Sequence, residues 1–80
     1  MLLGKPDCGL CREMREVVEH ALPALDAELV ERDITDDPEL ERRYVFDIPV
    51  LLYDGREVAR HRIGADELLP RLRAAGFRSR

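Results

Sequence analysis

The apolar residues of the chain recur in two different periods, and these periods predict where its helices and strands lie. Steps of three and four residues predict one buried helical stripe, formed by Leu10, Met14, Val17, Val18, Ala21 and Leu25. Pro23 cannot donate to the helical ladder, so we expect this helix to end or kink around Leu22.

A second helical stripe near the end of the chain comprises Leu68, Leu69, Leu72 and Ala75. Its helix is expected to start near Ala65, which would place Pro70 in the first turn, where proline is tolerated. Gly76 is a suitable C-terminal stop. Between the two stripes, Asp37 can cap a helix and Pro38 suits its first position, which predicts a short helix over residues 39–44.

Shorter apolar runs predict four strands. Residues 1–4 form a very short first strand, and residues 27–34 mix apolar and charged positions as a half-exposed edge strand does. Residues 50–53 and 56–63 flank Asp54-Gly55, a pair that tolerates the positive φ values of a two-residue type I′ turn. In the second arm His61 shares a face with Ala59 and Ile63, which favours a packing role for it.

The predicted order is β-α-β-α-β-β-α. A parallel β-α-β half followed by a hairpin and a closing helix indicates an α/β fold, a four-stranded mixed sheet with helices on both faces. Eighty residues, 45% of them hydrophobic and 38% charged, correspond to a single globular domain over residues 1–80.

Charge and hydropathy argue against several kinds of partner. The net charge of −4 argues against nucleic acid or an anionic membrane surface as the main target. No run approaches the roughly 20 apolar residues of a membrane span. Two cysteines three positions apart, with no secretory signal pattern before them, predict a protein of the reducing cytoplasm.

The candidate chemistry lies in Cys8-Gly9-Leu10-Cys11, which holds both cysteines and starts where the first helical stripe begins. A Cys-x-x-Cys pair at a helix N-terminus predicts a dithiol redox site, because free N–H groups and the helix dipole stabilise a thiolate there. Half of a zinc site and an incidental pair are the alternatives. Zinc needs four ligands, and His20, His61 and scattered carboxylates do not form a ligand motif.

By position, Cys8 is the attacking thiolate and Cys11, one turn inside the helix, the resolving thiol. We expect the pKa of Cys8 to lie below the ordinary thiol value of about 8.5. Lys5 adds positive potential, holds a substrate carboxylate, or is simply a solvated lysine. Asp7 acts in the opposite sense, because a neighbouring carboxylate disfavours a thiolate.

These motifs together resemble the thioredoxin fold in its minimal form, and more narrowly the small bacterial glutaredoxin-like proteins. The likeness covers essentially all 80 residues and rests on Lys5, the Cys8–Cys11 motif, Asp37-Pro38, Ile48-Pro49-Val50 and Asp54-Gly55, in that order. The chain departs from glutaredoxins in keeping only part of their Gly-Gly-acidic segment, as Gly64-Ala65-Asp66. It also has Gly-Leu rather than Pro-Tyr between the cysteines.

The resemblance implies a thiol-disulfide oxidoreductase. Pro49 would be a cis proline that keeps a backbone N–H away from the sulfurs and lets the Ile48 backbone pair with a bound peptide or glutathione. Gly64, Ala65 and Asp66 either bind a substrate carboxylate or form only a turn and helix cap. We expect no tightly bound cofactor, with glutathione as a possible co-substrate.

The expected partners are disulfide-containing proteins or glutathione mixed disulfides, and the expected state is a monomer. Two other function classes remain open from the sequence. One is a binding module in which two chains share a metal or iron–sulfur cluster through Cys8. The other is a redox-inert adaptor, for which Cys8→Ser would leave function unchanged.

Overall fold

The computed structural model of the protein describes residues 1–78. It has four strands and three α-helices in the predicted order, with one additional 3₁₀ turn at Ile34–Asp36. These elements are β1 (Leu2–Gly4), α1 (Gly9–Leu25), β2 (Glu31–Asp33), α2 (Pro38–Tyr44), β3 (Val50–Tyr53), β4 (Arg56–Arg60) and α3 (Ala65–Ala74). Within residues 1–78 no helix has the length and apolar character needed to cross a membrane.

The strands form one mixed sheet in the order β2-β1-β3-β4. β1 pairs with β2 in parallel and with β3 in antiparallel orientation, and β3 pairs with β4 in antiparallel orientation. β2 is an edge strand, as its half-polar sequence predicted. Parallel pairing makes β1 and β2 end at the same edge of the sheet, where Gly4 lies opposite Asp33. This edge faces the start of α1.

Neighbouring residues of β1 point to opposite faces of the sheet and belong to two separate cores. Leu2 packs with Leu51 and the apolar stripes of α1 and α3. Leu3 packs with Val50 on the other face, in a cluster that also holds Cys11 and receives Leu40 of α2. Helices therefore cover both faces, as predicted, and the second cluster places the cysteines beside the centre of the sheet.

Two prolines lie deeper in helices than the sequence predicted. α1 continues through Pro23 to Leu25 rather than ending near Leu22, and Pro70 lies in the second turn of α3 rather than the first. Pro23 removes only its own N–H from the last turn of α1, while Leu25 beyond it is buried in the core. Packing of Leu25 therefore outweighs the lost backbone bond.

The hairpin turn is as predicted, because Asp54 and Gly55 have φ values of 50° and 79°. β4, however, ends at Arg60 rather than residue 63. A register shift pairs Leu51 with Ala59 but Leu52 with Glu57, so the alternation of faces breaks at this point. His61 then leaves the strand with φ 66° and is exposed, which corrects the predicted packing role.

Helix ends follow their capping residues. The Asp37 side chain accepts hydrogen bonds from the N–H groups of Glu39 and Leu40, and Pro38 occupies the first helical position of α2. Beyond α3, Gly76 takes φ 105° and its N–H donates to Arg73 O at 3.0 Å. Both signals were predicted from the sequence.

Candidate active site

Cys8 and Cys11 are joined by a disulfide at the N-terminus of α1, with their Cα atoms 5.2 Å apart. Cys8 is the N-cap residue, with extended backbone angles, and its sulfur accepts a hydrogen bond from the Cys11 N–H at 3.1 Å. The sulfur therefore occupies the place that a Ser or Asp oxygen takes in other helix caps. A thiolate at Cys8 would receive the same N–H donor.

The start of α1 differs from the other helix starts in its charge. α2 has Glu39 and Glu41 in its first turn and α3 has Asp66 and Glu67, whereas the first turn of α1 has no acidic residue. The positive end of the α1 dipole therefore acts on Cys8 without a carboxylate inside the helix to offset it. Such a site stabilises negative charge on sulfur.

The two sulfurs differ in access. Cys8 is half-buried, whereas Cys11 is 9% exposed and belongs to the core cluster of Leu3, Ile48 and Val50. Gly4 at the end of β1 lies directly against the Cys11 side chain. A molecule approaching from solvent consequently meets Cys8 first.

The peptide bond between Ile48 and Pro49 is cis, as the resemblance implied. Pro49 is fully buried, and Ile48 packs in the cluster that contains Cys11 and borders Cys8. The N–H of Ile48 donates to Tyr44 O at 3.1 Å. Pairing of Ile48 with a bound peptide, which the resemblance implied, stays a prediction, and with the N–H engaged it would use the Ile48 carbonyl.

A cavity of about 280 Å³ opens beside the cysteines, between the start of α1 and the ends of β1 and β2. Its walls carry four basic side chains, from Lys5, Arg12, Arg15 and Arg32. Arg15 pairs with Glu31 at 3.6 Å and Arg32 with Asp37 at 3.3 Å. Among the described residues, Lys5 and Arg12 have no such partner. Asp7, Glu31 and Asp33 also line the cavity, so its wall carries charges of both signs, with one more basic than acidic side chain.

Of these side chains, only Lys5 was predicted as a site residue. Arg12 follows Cys11 and lies one helical turn after Cys8, a spacing that the sequence displays. Arg32 reaches the cavity because β2 pairs in parallel with β1, which brings Arg32 opposite Leu3. That placement depends on strand order and has no local sequence signal.

The segment Gly64-Ala65-Asp66 forms the start of α3 and is not part of the cavity wall. Its first N–H, that of Gly64, points at Glu67 Oε1 at 3.4 Å, which completes a capping arrangement. Asp66 and Glu67 also give this helix start a negative charge. Substrate binding by Gly64, Ala65 and Asp66 stays a prediction, with the helix-cap role visible in the structure.

Within residues 1–78, no three His, Cys, Asp or Glu side chains are grouped as ligands of a metal ion would be. Cys8 and Cys11 thus have no further protein ligand beside them in this part of the chain. A cluster shared between two chains would draw its remaining ligands from elsewhere, and it stays a separate hypothesis.

Comparison with known proteins agrees with this architecture. Residues 1–73 match the model of a family described as "Glutaredoxin-like domain (DUF836)". A structural match is thioredoxin 1 from the thermophilic eubacterium Thermosipho africanus TCF52B, with a TM-score of 0.60 and 17% sequence identity. The match covers 91% of this chain and 88% of that thioredoxin, and it shows a shared fold. A search of curated proteins found no match.

Proposed function

Because the chain belongs to the glutaredoxin-like domain family (DUF836), we propose that it is a thiol-disulfide oxidoreductase whose redox pair is Cys8 and Cys11. One observation carries the proposal. The two cysteines are bonded across the first turn of α1. The outer sulfur accepts a hydrogen bond from a backbone N–H, and the inner one is buried in the cluster that contains Ile48, the residue before cis-Pro49. This arrangement suits attack by Cys8 and resolution by Cys11.

The first step begins from the reduced protein. The Cys8 thiolate attacks one sulfur of a substrate disulfide, forms a mixed disulfide with it, and releases the other substrate sulfur as a thiolate that takes up a proton. The Cys11 N–H and the positive end of the α1 dipole favour the attacking thiolate. Lys5 and Arg12 add positive potential on the cavity side.

The second step resolves the mixed disulfide. Cys11 loses its proton and attacks the Cys8 sulfur, the bond between Cys8 and the substrate breaks, and the second substrate thiolate leaves. The substrate disulfide has then gained two electrons and become two thiols, while the protein dithiol has become the Cys8–Cys11 disulfide. Cys11 is already buried beside Cys8, so little rearrangement is needed for this attack.

The contribution of Pro49 comes from its missing backbone N–H. Proline has no backbone N–H, so at position 49 no main-chain donor competes for the sulfurs. The Ile48 carbonyl before it remains available to accept a hydrogen bond from an N–H of the bound substrate. Pro49 and Ile48 thus position the substrate rather than take part in bond exchange.

The protein returns to its dithiol form at the expense of two equivalents of glutathione or of another dithiol. Disulfides of proteins or of glutathione are the proposed substrates. A reducing compartment is required for such a cycle, so the proposal places the protein in the cytoplasm.

A coupled assay tests the proposal. Reduction of 2-hydroxyethyl disulfide by glutathione is followed through glutathione reductase and NADPH, with thioredoxin reductase as the alternative electron donor. We expect turnover by the parent with one of the two donors and loss of at least a hundredfold in Cys8→Ser, since the nucleophile is absent. Equal rates in the parent and Cys8→Ser would contradict the proposal and favour a redox-inert adaptor.

A further inference from the structure

Phe46 is the most exposed large apolar residue described, with 90% of its surface open to solvent, compared with 55% for Val30 and 45% for Met1. Exposure alone says little, because apolar atoms cover much of any protein surface. The position of Phe46 in the chain is what suggests a functional role. It lies in the turn between α2 and cis-Pro49, two residues before Ile48.

The main chain of this turn, residues 45–47, is held on several sides. The N–H groups of Asp47 and Ile48 both donate to Tyr44 O, at 2.8 and 3.1 Å. The Asp47 carboxylate pairs with Arg60 at 3.1 Å. The turn is therefore fixed with the Phe46 ring outward, rather than free to fold the ring into the core.

His61 supplies the remaining support. Its Nε2 lies 3.1 Å from Phe46 O, and its backbone N–H donates to Pro49 O at 2.8 Å, so it bridges the two sides of Ile48. To make both contacts, His61 takes a φ of 66°, a backbone conformation that residues other than glycine rarely adopt. An unusual backbone conformation beside a reactive site is a reason to look for a function there.

The turn that carries Phe46 leads into the segment that packs against the cysteines. Two residues of chain span at most about 7 Å, and Ile48 packs in the cluster that contains Cys11 and borders Cys8. The Ile48 N–H is already used by Tyr44, so main-chain pairing gives a bound peptide only one bond at this residue. Side-chain contacts add affinity for a substrate, and Phe46, two residues before Ile48, is an exposed apolar side chain.

We infer that Phe46 is a docking anchor for polypeptide substrates, its ring packing against apolar side chains that flank the substrate disulfide. Aromatic residues are enriched at protein interfaces and among the few residues that carry most of the binding free energy. The inference rests on the proposed oxidoreductase function and adds a substrate class to it. A small disulfide without apolar side chains gains nothing from the ring.

The test is the second-order rate constant for oxidation of the fully reduced protein by two disulfides, insulin and 2-hydroxyethyl disulfide. Samples are acid-quenched and the loss of two hydrogens is followed by intact mass, so no enzyme is needed to recycle the protein. Phe46→Ala is compared with Val30→Ala. Val30 is also exposed. It precedes the first residue of β2, whereas the cysteines lie near the last residues of β1 and β2.

We expect Phe46→Ala to lower the rate constant for insulin about tenfold while that for 2-hydroxyethyl disulfide stays within twofold. Val30→Ala should change neither. An unchanged insulin constant in Phe46→Ala overturns the inference, and so does an equal fall with both disulfides, which would mean that Phe46 shapes the site itself. A parent that reacts with neither disulfide refutes the proposed function, and the anchor role fails with it.

A second variant tests the support given by His61. His61→Gly removes the ring contact to Phe46 O without adding strain, because glycine takes positive φ readily. We expect the insulin constant to fall in the same direction as in Phe46→Ala, by a smaller factor of about three, with the small disulfide unaffected. If Phe46→Ala lowers the insulin constant and His61→Gly does not, the ring docks without the His61 support, and that part of the inference is wrong.

Discussion

The backbone of Gly4 lies directly against the side chain of Cys11. A Cβ at Gly4 would lie 3.1 Å from Cys11 Sγ and 3.2 Å from Cys11 Cβ, closer than atoms normally approach. Gly4 ends β1 and Cys11 lies in the first turn of α1. A strand residue without a side chain is thus what allows the inner cysteine to pack beneath Cys8.

We predict that Gly4→Ala lowers the free energy of unfolding of the oxidised protein by about 1–2 kcal/mol, because Cys11 is held in the core and cannot move aside freely. Denaturant titration measures the change. Gly9→Ala is the matched control: nothing lies within 4 Å of a Cβ there, and alanine at the start of α1 should stabilise by up to about 1 kcal/mol. A Gly4→Ala protein as stable as Gly9→Ala would contradict the packing described.

A second prediction concerns the cap of α2, the helix that leads into the Phe46 turn. Asp37 Oδ1 accepts from Glu39 N at 3.0 Å and Leu40 N at 3.3 Å. Asp37→Ala should lower the free energy of unfolding by about 1 kcal/mol, because two helix N–H groups lose their partner. Its neighbour Asp36 is exposed and makes no cap for α2, so Asp36→Ala should cost less than half as much in the same titration.

A third prediction is a pH dependence of stability. Hydrogen bonds from Arg60 to Glu57 lower the pKa of Glu57 below its ordinary 4.5. Since the pKa is lower in the folded than in the unfolded chain, this contribution to stability is present above about pH 4.5 and is lost as the pH falls through the folded value.

The comparison that checks it is parent against Glu57→Gln, unfolded by denaturant at several pH values from 7 to 3. The parent should be slightly more stable at pH 7, because the pair is exposed to solvent and weak. The difference should shrink as the pH falls below 4.5 and through the lower pKa of folded Glu57. A difference that is the same at every pH would show that the ion pair does not contribute through its charge.

Local signals in the sequence predicted much of this molecule. The Cys8–Cys11 motif, the cap at Asp37 and the turn at Asp54-Gly55 each depend on residues close together in the chain. Their order was enough to predict the sheet with helices on both faces. These signals work because helix caps and two-residue turns are determined by their own backbone chemistry.

Other features depend on contacts between distant segments, and the sequence did not predict them. α1 passes Pro23 because Leu25 packs in the core. β4 ends at Arg60 because its partner Val50 is the first residue of β3, and His61 beyond it lies against the turn that holds Phe46. The exposure of the Phe46 ring and the presence of Arg32 in the cavity wall likewise depend on how distant segments pack together. The pattern of apolar positions along the chain does not predict such contacts.

The most direct test of the central claim, attack by Cys8 and resolution by Cys11, is intact mass after incubating the reduced protein with oxidised glutathione. We predict that the parent loses two hydrogens and that Cys11→Ser traps one glutathione on Cys8, because its mixed disulfide cannot be resolved. Cys8→Ser, whose remaining thiol is buried, should stay unmodified on the same timescale. Rapid trapping by Cys8→Ser but not by Cys11→Ser would reverse the assigned roles. An unchanged mass in all three proteins, with Cys8 still open to a simple thiol reagent, would contradict disulfide exchange with glutathione.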